Sequence, residues 1–291
     1  MVSENTNAGA SLNENESVII VAMQMTSSPL VVDNLLFVEQ QLKLLPVSRP
    51  CLVVLPECFA CFGGGDKAML DIAEHLHTGP IQLKLKQLAK QHGVWLVAGS
   101  LPLLCPTADK FTASCLLIND QGEIVEEYQK IHLFDVQVAD NTGTYLESRS
   151  TQAGSKLIVI NTPFGHLGLA VCYDIRFAAM FVAMNQIAQL DVLVLPAAFT
   201  QLTGQAHWHS LLTARAIENQ CYVVAANQTG KHRNKRQTYG HSCIISPWGE
   251  KLAELPHDSG MIYAQIDHQL LADIRSNMPV YQHNKFRSHL V

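Results

Sequence analysis

The chain has 291 residues, 48% of them apolar and 15% charged, and its 20 Lys plus Arg against 25 Asp plus Glu give a formal charge of −5. That balance argues against a basic nucleic-acid surface, and no apolar run reaches the roughly 18 residues needed to cross a bilayer. The composition is that of a soluble globular protein with a sizeable core, and the length fits one large α/β domain or two average ones.

In chain order, residues 1–16, "MVSENTNAGASLNENE", are polar and acidic, without the charged start and apolar middle of a signal peptide. A disordered lead-in is expected there, followed by a folded domain over 17–291. With no export signal the expected location is cytoplasmic, where the eight cysteines remain thiols. Short apolar runs then recur as strand candidates: "SVIIVAMQM", "CLVVLPE", "VWLVAGSLPL", "TASCLLIND", "LIVINT", "HLGLAVCYD", "DVLVLPAAF", "CYVVAANQ", "HSCIISPWG" and "MIYAQID". Several are apolar at consecutive positions, as strands covered on both faces are, whereas "TASCLLIND" and "MIYAQID" mix in polar residues and suit a sheet margin.

Between them lie helix signals. "IQLKLKQLAKQHG" alternates charge and apolar residues before a glycine, and in "AHWHSLLTARAIEN" Trp208, Leu211, Leu212, Ala216 and Ile217 recur at helical spacing. Asp267 is placed to cap a helix over "HQLLADIR". Strands and helices interleave with no Ser/Gly/Pro-rich linker, which favours one layered α/β domain, and "NDQGE" around Gly122 implies that antiparallel pairs are mixed in.

Several site classes lack their motifs. No G-x-G-x-x-G or G-x-x-x-x-G-K-[ST] occurs; "FGGGDK" has glycines without the spacing, and "KHRNKR" at 231–236 reads as a solvated loop. Cys58 and Cys61 form one C-x-x-C with no second pair, and His207 and His209 of "HWH" point to different sides of a helix. No metal and no cofactor is expected.

Reactive residues do stand at strand ends, where side chains leave the core of an α/β sheet. Glu57 closes "LVVLPE", Lys130 closes the strand-like "EIVEEYQK", and Cys172 closes "LGLAVC". A carboxylate after an apolar strand is partly desolvated and suited to proton transfer, and a thiolate is a strong nucleophile once a base or positive neighbour helps it form. A lysine beside both can hold an oxyanion together with the N–H of Tyr173. Singly, each has an ordinary structural reading; the enzymatic one requires a shared cavity. Two rivals stand beside it: a Cys–His hydrolase using His166 or His241, and a folded, catalytically silent scaffold.

The strings "LPECF", "KIHLFD", "CYDIRF", "LPAAF", "HWHSLLTARAIENQCYVVAANQ" and "YGHS", in this order, resemble the carbon–nitrogen hydrolase (nitrilase) superfamily over nearly the whole chain. The resemblance implies a four-layer αββα sandwich with two mixed sheets and a triad falling on Glu57, Lys130 and Cys172. It also implies a second glutamate, matched by Glu147, that holds the lysine, and a homodimer formed through the helix after the cysteine. Cys172-Tyr173-Asp174, where nitrilases have Cys-Trp-Glu, points to a small linear amide as substrate. "LTGQAHW" and "MPVYQHNKFR" are most similar to the deaminated-glutathione amidase branch; the omega-amidase branch, which acts on alpha-ketoglutaramate, is the alternative.

An anion site for such substrates could use Arg176, Arg215 or Lys231, although Arg176 with Asp174 also suits fixing the turn. Ala178 and Ala179 replace the family's Pro-Glu, and His209 stands where relatives carry Glu.

Overall fold

The structure, a computed structural model, describes residues 18–105, 109–140 and 142–289; the expected lead-in lies outside them. The first half contains β1 (Ile19–Gln24), α1 (Val31–Leu42), β2 (Cys51–Val54), α2 (Asp66–Asp71), α3 (Pro80–His92), β3 (Trp95–Leu104), β4 (Phe111–Ile118) and β5 (Ile124–Gln129). The middle contributes β6 (Asp135–Gln137), β7 (Thr144–Leu146), β8 (Thr151–Gln152), β9 (Val159–Thr162), β10 (Gly165–Leu169) and α4 (Ala178–Ile187). Then follow β11 (Val192–Ala197), α5 (Gln201–Asn219), β12 (Tyr222–Asn227), β13 (Thr229–Lys231), β14 (Gln237–Tyr239), β15 (Ser242–Ile245), β16 (Lys251–Leu255), β17 (Gly260–Gln265), α6 (His268–Asn277) and α7 (Val280–His283).

Two mixed sheets, ordered β17-β1-β2-β3-β4-β5 with β8 on β4, and β16-β15-β12-β11-β10-β9, pack face to face through β1, β2 and β3 against β11 and β12. Successive strand residues point to opposite faces. In β1, Ile20 and Ala22 enter the core between the sheets, while Ile19, Val21 and Met23 pack with Val38 and Leu42 of α1 and Leu85 and Leu88 of α3. Both faces are therefore apolar, which is why these strands read as continuous hydrophobic runs. On the second sheet, Phe181 and Met184 of α4 and Trp208, Leu212 and Ala216 of α5 form the other outer layer. The αββα sandwich is thus complete.

Local signals act where expected. The Asp267 carboxylate accepts from Leu270 N at 2.9 Å, and α3 begins at Pro80 and ends at Gly93 with φ +58°. Gly122, at φ +78°, turns β4 into β5. One expectation fails. β17 is an edge strand, but β4 lies between β3 and β5 and is buried along its whole length. Its polar residues satisfy one another, Thr112 Oγ1 lying 2.8 Å from Ser114 Oγ, which meets Glu127 at 2.7 Å. A hydrogen-bonded hydroxyl can be buried at little cost, so polarity alone did not mark an edge.

Candidate active site

Glu57 sits three residues beyond the end of β2, in a turn pinned by Gln228 Nε2, which donates to the Glu57 carbonyl at 2.9 Å, and by Ser100 Oγ, which accepts from Cys58 N at 3.0 Å. Gly99 makes this approach possible: a Cβ there would stand 1.9 Å from the Pro56 carbonyl oxygen. Lys130 follows β5, its N–H donating to Ala113 O at 3.0 Å. Glu147 opens a short 3-10 turn and accepts from Phe134 N at 2.6 Å.

Cys172 begins the 3-10 turn Cys172–Arg176 beyond β10, with φ +49°. Left-handed backbone at a non-glycine residue is strained and persists only where the surroundings enforce it. Asp174 does so. Its buried carboxylate accepts from Val171 N (2.9 Å), His132 N (3.1 Å) and Tyr128 Oη (2.7 Å), and lies 2.7 Å from His132 Nδ1. His132 is in turn stacked on Phe177, with ring centres 3.7 Å apart.

These turns converge. Lys130 Nζ lies 2.7 Å from Glu57 Oε1 and 3.0 and 2.9 Å from the two oxygens of Glu147. Glu57, Lys130, Glu147 and Cys172 line one cavity of about 360 Å³, joined by Tyr173 and Arg176. Lys130 is only 2% exposed. Burial disfavours its ammonium, yet Glu147 and Glu57 outweigh that and hold it well above the usual lysine range. Burial and the Glu57 charge push the Cys172 thiol well up, against Lys130 and the Ala198 main chain, so the resting sulfur keeps its proton. Burial likewise raises Glu147, with Lys130 pulling it down.

Other expectations divide. No histidine lines this cavity among the described residues; His166 faces Asp191 at 3.6 Å and His241 faces Glu254 at 2.7 Å, so neither is placed as a base for Cys172. Arg176 faces the cavity, its guanidinium 5.3 Å from the Phe199 ring. Arg215 does not: it is buried, donating to Ile175 O at 3.0 Å and Glu218 at 2.7 Å. Lys231, Ala178 and Ala179 are exposed and outside the cavity, and His209, half-buried, also lies outside it.

The "KHRNKR" segment is not wholly a solvated loop. His232 is buried, and Arg236 reaches back into the cavity, its guanidinium 5.0 Å from Phe62 and 4.8 Å from Tyr145 while donating to Ala198 O at 3.2 Å. Arg149 also lines the cavity, and the "FGGGDK" glycines Gly63, Gly64 and Gly65 form part of its wall. Arg149 and Arg236 carried no sequence signal beyond their charge. Among the described residues, the grouping of ligand atoms close enough to share a metal ion is His209, His241 and Glu254, outside this cavity.

Residues 38–276, a span containing all four clustered residues, match the family Carbon-nitrogen hydrolase. The chain belongs to the carbon–nitrogen hydrolase family. As a member it is 41% identical over 274 residues to a deaminated glutathione amidase of Yersinia enterocolitica, covering 94% of each chain. It is 39% identical to the deaminated glutathione amidase of Dictyostelium discoideum, covering 92% of this chain and 94% of that one. The crystal structure of the NitFhit protein of Caenorhabditis elegans superposes with a TM-score of 0.84 at 38% identity, over 93% of this chain and 65% of that one. Among the described residues, no helix of this family member is long and apolar enough to cross a membrane.

Proposed function

We propose that the protein is an amidase whose substrate is deaminated glutathione, with Cys172 as nucleophile, Glu57 as general acid and base, Lys130 as the cation at the oxyanion and Glu147 as the residue that positions Lys130. One arrangement carries this assignment: a buried ammonium shared by two carboxylates, in the same cavity as a thiol on a strained turn.

Glu57 takes the Cys172 proton and the thiolate attacks the amide carbonyl. The tetrahedral oxyanion is held by the Lys130 ammonium and the Tyr173 N–H; such a donor typically lowers the barrier by about 3 kcal/mol. Glu57 returns the proton to the departing nitrogen, and the amine half of the amide leaves: the thiol dipeptide from deaminated glutathione, or ammonia from a primary amide. The acyl group is held on Cys172 as a thioester. Glu57 then deprotonates water for attack on the thioester, releasing the carboxylic acid and restoring the thiol. The charged environment lets the buried thiol ionise only as substrate arrives, which limits side reactions of a standing thiolate.

Arg149, Arg176 and Arg236 line the same cavity and outweigh the single negative charge left over when Glu57 and Glu147 share Lys130, so the cavity is cationic on balance. A carboxylated acyl group suits it, as deaminated glutathione supplies, and the names of the relatives at 41% and 39% identity favour that substrate. The eight free cysteines accord with a cytoplasmic location. Pairing of two copies through the α4 face is supported by Ile187 and, on neighbouring α5, Ile217, exposed by 57% and 49%.

The test is amide hydrolysis by purified protein, read as release of the thiol dipeptide from deaminated glutathione and of ammonia from alpha-ketoglutaramate. The former is expected to be turned over with the higher kcat/KM. Cys172→Ala should abolish turnover, and Glu57→Gln should lower kcat by about 100- to 10,000-fold. Full activity in either variant defeats the mechanism; preference for alpha-ketoglutaramate defeats the substrate assignment alone.

A further inference from the structure

A second constellation lies away from the cavity, at the β16 edge of the six-stranded sheet. His209 comes from α5, His241 from the turn between β14 and β15, and Glu254 from β16. The Glu254 Oε1 atom lies 2.8 Å from His209 Nε2 and 2.7 Å from His241 Nδ1, and the three donor atoms are all within 4.8 Å of one another. His209 stands where the family resemblance places a glutamate, so this chain has an imidazole facing another imidazole and a carboxylate.

We propose that His209, His241 and Glu254 form a binding site for a divalent first-row transition-metal ion, zinc being the best match to the donor set. Two imidazole nitrogens and one carboxylate oxygen are ligands zinc takes at about 2.0–2.2 Å, leaving a fourth position for water. Donors around such an ion stand about 3.3 Å apart. The two contacts to Glu254 Oε1 therefore need open by only about half an ångström as the metal replaces the ring protons, while the two imidazole nitrogens, within 4.8 Å of each other, settle to the same spacing. The site faces solvent on one side, the His209 side chain being 37% exposed, which gives the ion a path in.

The ligands are held in place before any metal arrives. His241 has φ +54°, its N–H donates to Pro256 O at 2.8 Å, and its carbonyl accepts from Trp208 Nε1 at 2.7 Å. Its ring is stacked on Tyr239 at 4.2 Å and meets His257 edge-on at 4.9 Å. Partial burial would raise the Glu254 carboxyl, but hydrogen bonds from Lys251, His241 and His209 hold it at about 2. The carboxylate therefore stays ionised across the neutral range. Lys251 binds the other oxygen, Oε2, leaving Oε1 to the two rings while competing for the carboxylate's charge. The ion clamps α5 to β16 and the turn before β15. Glu254 is 45 positions from His209 and 13 from His241, so no short metal-binding motif betrays the site.

Cobalt(II), titrated into the purified full-length protein and followed by visible absorption, tests this directly. One equivalent should bind per chain, with ligand-field bands, no sulfur-to-cobalt charge transfer and displacement by zinc. His209→Gln and Glu254→Gln should each weaken binding at least about tenfold, the lower end of what loss of even an indirect metal contact costs. Lys251→Met should tighten it by freeing the carboxylate. Cobalt should raise the melting temperature of the parent protein and not of the His209→Gln variant, in which a half-exposed helix position is changed and circular dichroism checks the fold. Equal affinity in the parent and both ligand variants, binding only at millimolar cobalt, or a spectrum dominated by thiolate charge transfer would each overturn the site.

Discussion

Lys130 Nζ and Glu57 Oε1 lie 2.7 Å apart although 73 positions separate them in the chain, and the same ammonium also spans both oxygens of Glu147. The pairing is almost wholly desolvated. An ion held this way is a positioned group rather than a source of net stability, because its attraction to the carboxylates is largely spent on replacing lost hydration. What it supplies is a fixed positive charge beside the Cys172 sulfur.

Replacing Lys130 by Met should therefore cost more than lost catalysis. Glu57 and Glu147 would be left facing each other without a cation, and breaking a buried pair in this way typically costs about 3–5 kcal/mol. Urea unfolding should show that loss together with absent amide hydrolysis. A Lys130→Met protein of unchanged stability would mean that the two carboxylates find other partners.

Asp174 is expected to control Cys172, the proposed nucleophile, without touching substrate. Asp174→Ala removes the acceptor for two main-chain N–H groups and the Tyr128 hydroxyl, each costing about 1–3 kcal/mol when left unsatisfied in the interior. The turn bearing Cys172 at φ +49° should relax, slowing alkylation of Cys172 by iodoacetamide as well as turnover. An unaltered alkylation rate in folded protein would separate the turn from Asp174.

Arg236 is expected to act on binding. A hydrogen bond to a charged group is worth about 1.5–3 kcal/mol. Arg236→Gln should accordingly raise KM for a carboxylated amide by about 10- to 100-fold, with kcat little changed, as loss of uniform binding does. The same variant should process an uncharged amide as well as the parent does. An equal KM increase for both substrates would assign Arg236 to wall packing.

His232 should make folding stability pH-dependent. Burial, with a contribution from Arg236 and against a hydrogen bond to Ser27, lowers its pKa from 6.5 to about 4. Between those values the unfolded chain binds a proton that the folded one refuses, so stability rises with pH there. The contribution is complete above about 6.5, falls as pH drops and is lost below about 4, a total of about 3 kcal/mol. Urea midpoints measured from pH 4 to 7 should show this slope, and His232→Gln should flatten it.

The strands were legible because each carries its signal within a few residues: β1, β2, β11 and β12 are apolar at consecutive positions since both sheet faces are covered. Asp267 and Gly122 were legible for the same reason, a cap or a turn being decided by hydrogen bonds to near neighbours. Glu57, Lys130 and Cys172 stood out through their chemistry at strand ends, and Glu147 through the family likeness. Strand position was harder to read: Thr112 and Ser114 lie in a buried strand because their hydroxyls pair with each other and Ser114 also reaches Glu127 on the neighbouring strand β5.

The sequence by itself determined the strands, the caps and the reactive side chains, since these follow from propensity and periodicity along a short stretch of chain. Only the tertiary structure decided that Arg236 turns into the cavity while Arg215 turns into the core, and that His209 meets His241 and Glu254. Those outcomes depend on how two sheets pack and where loops return, and side chains that meet across such distances share no local pattern that could announce them.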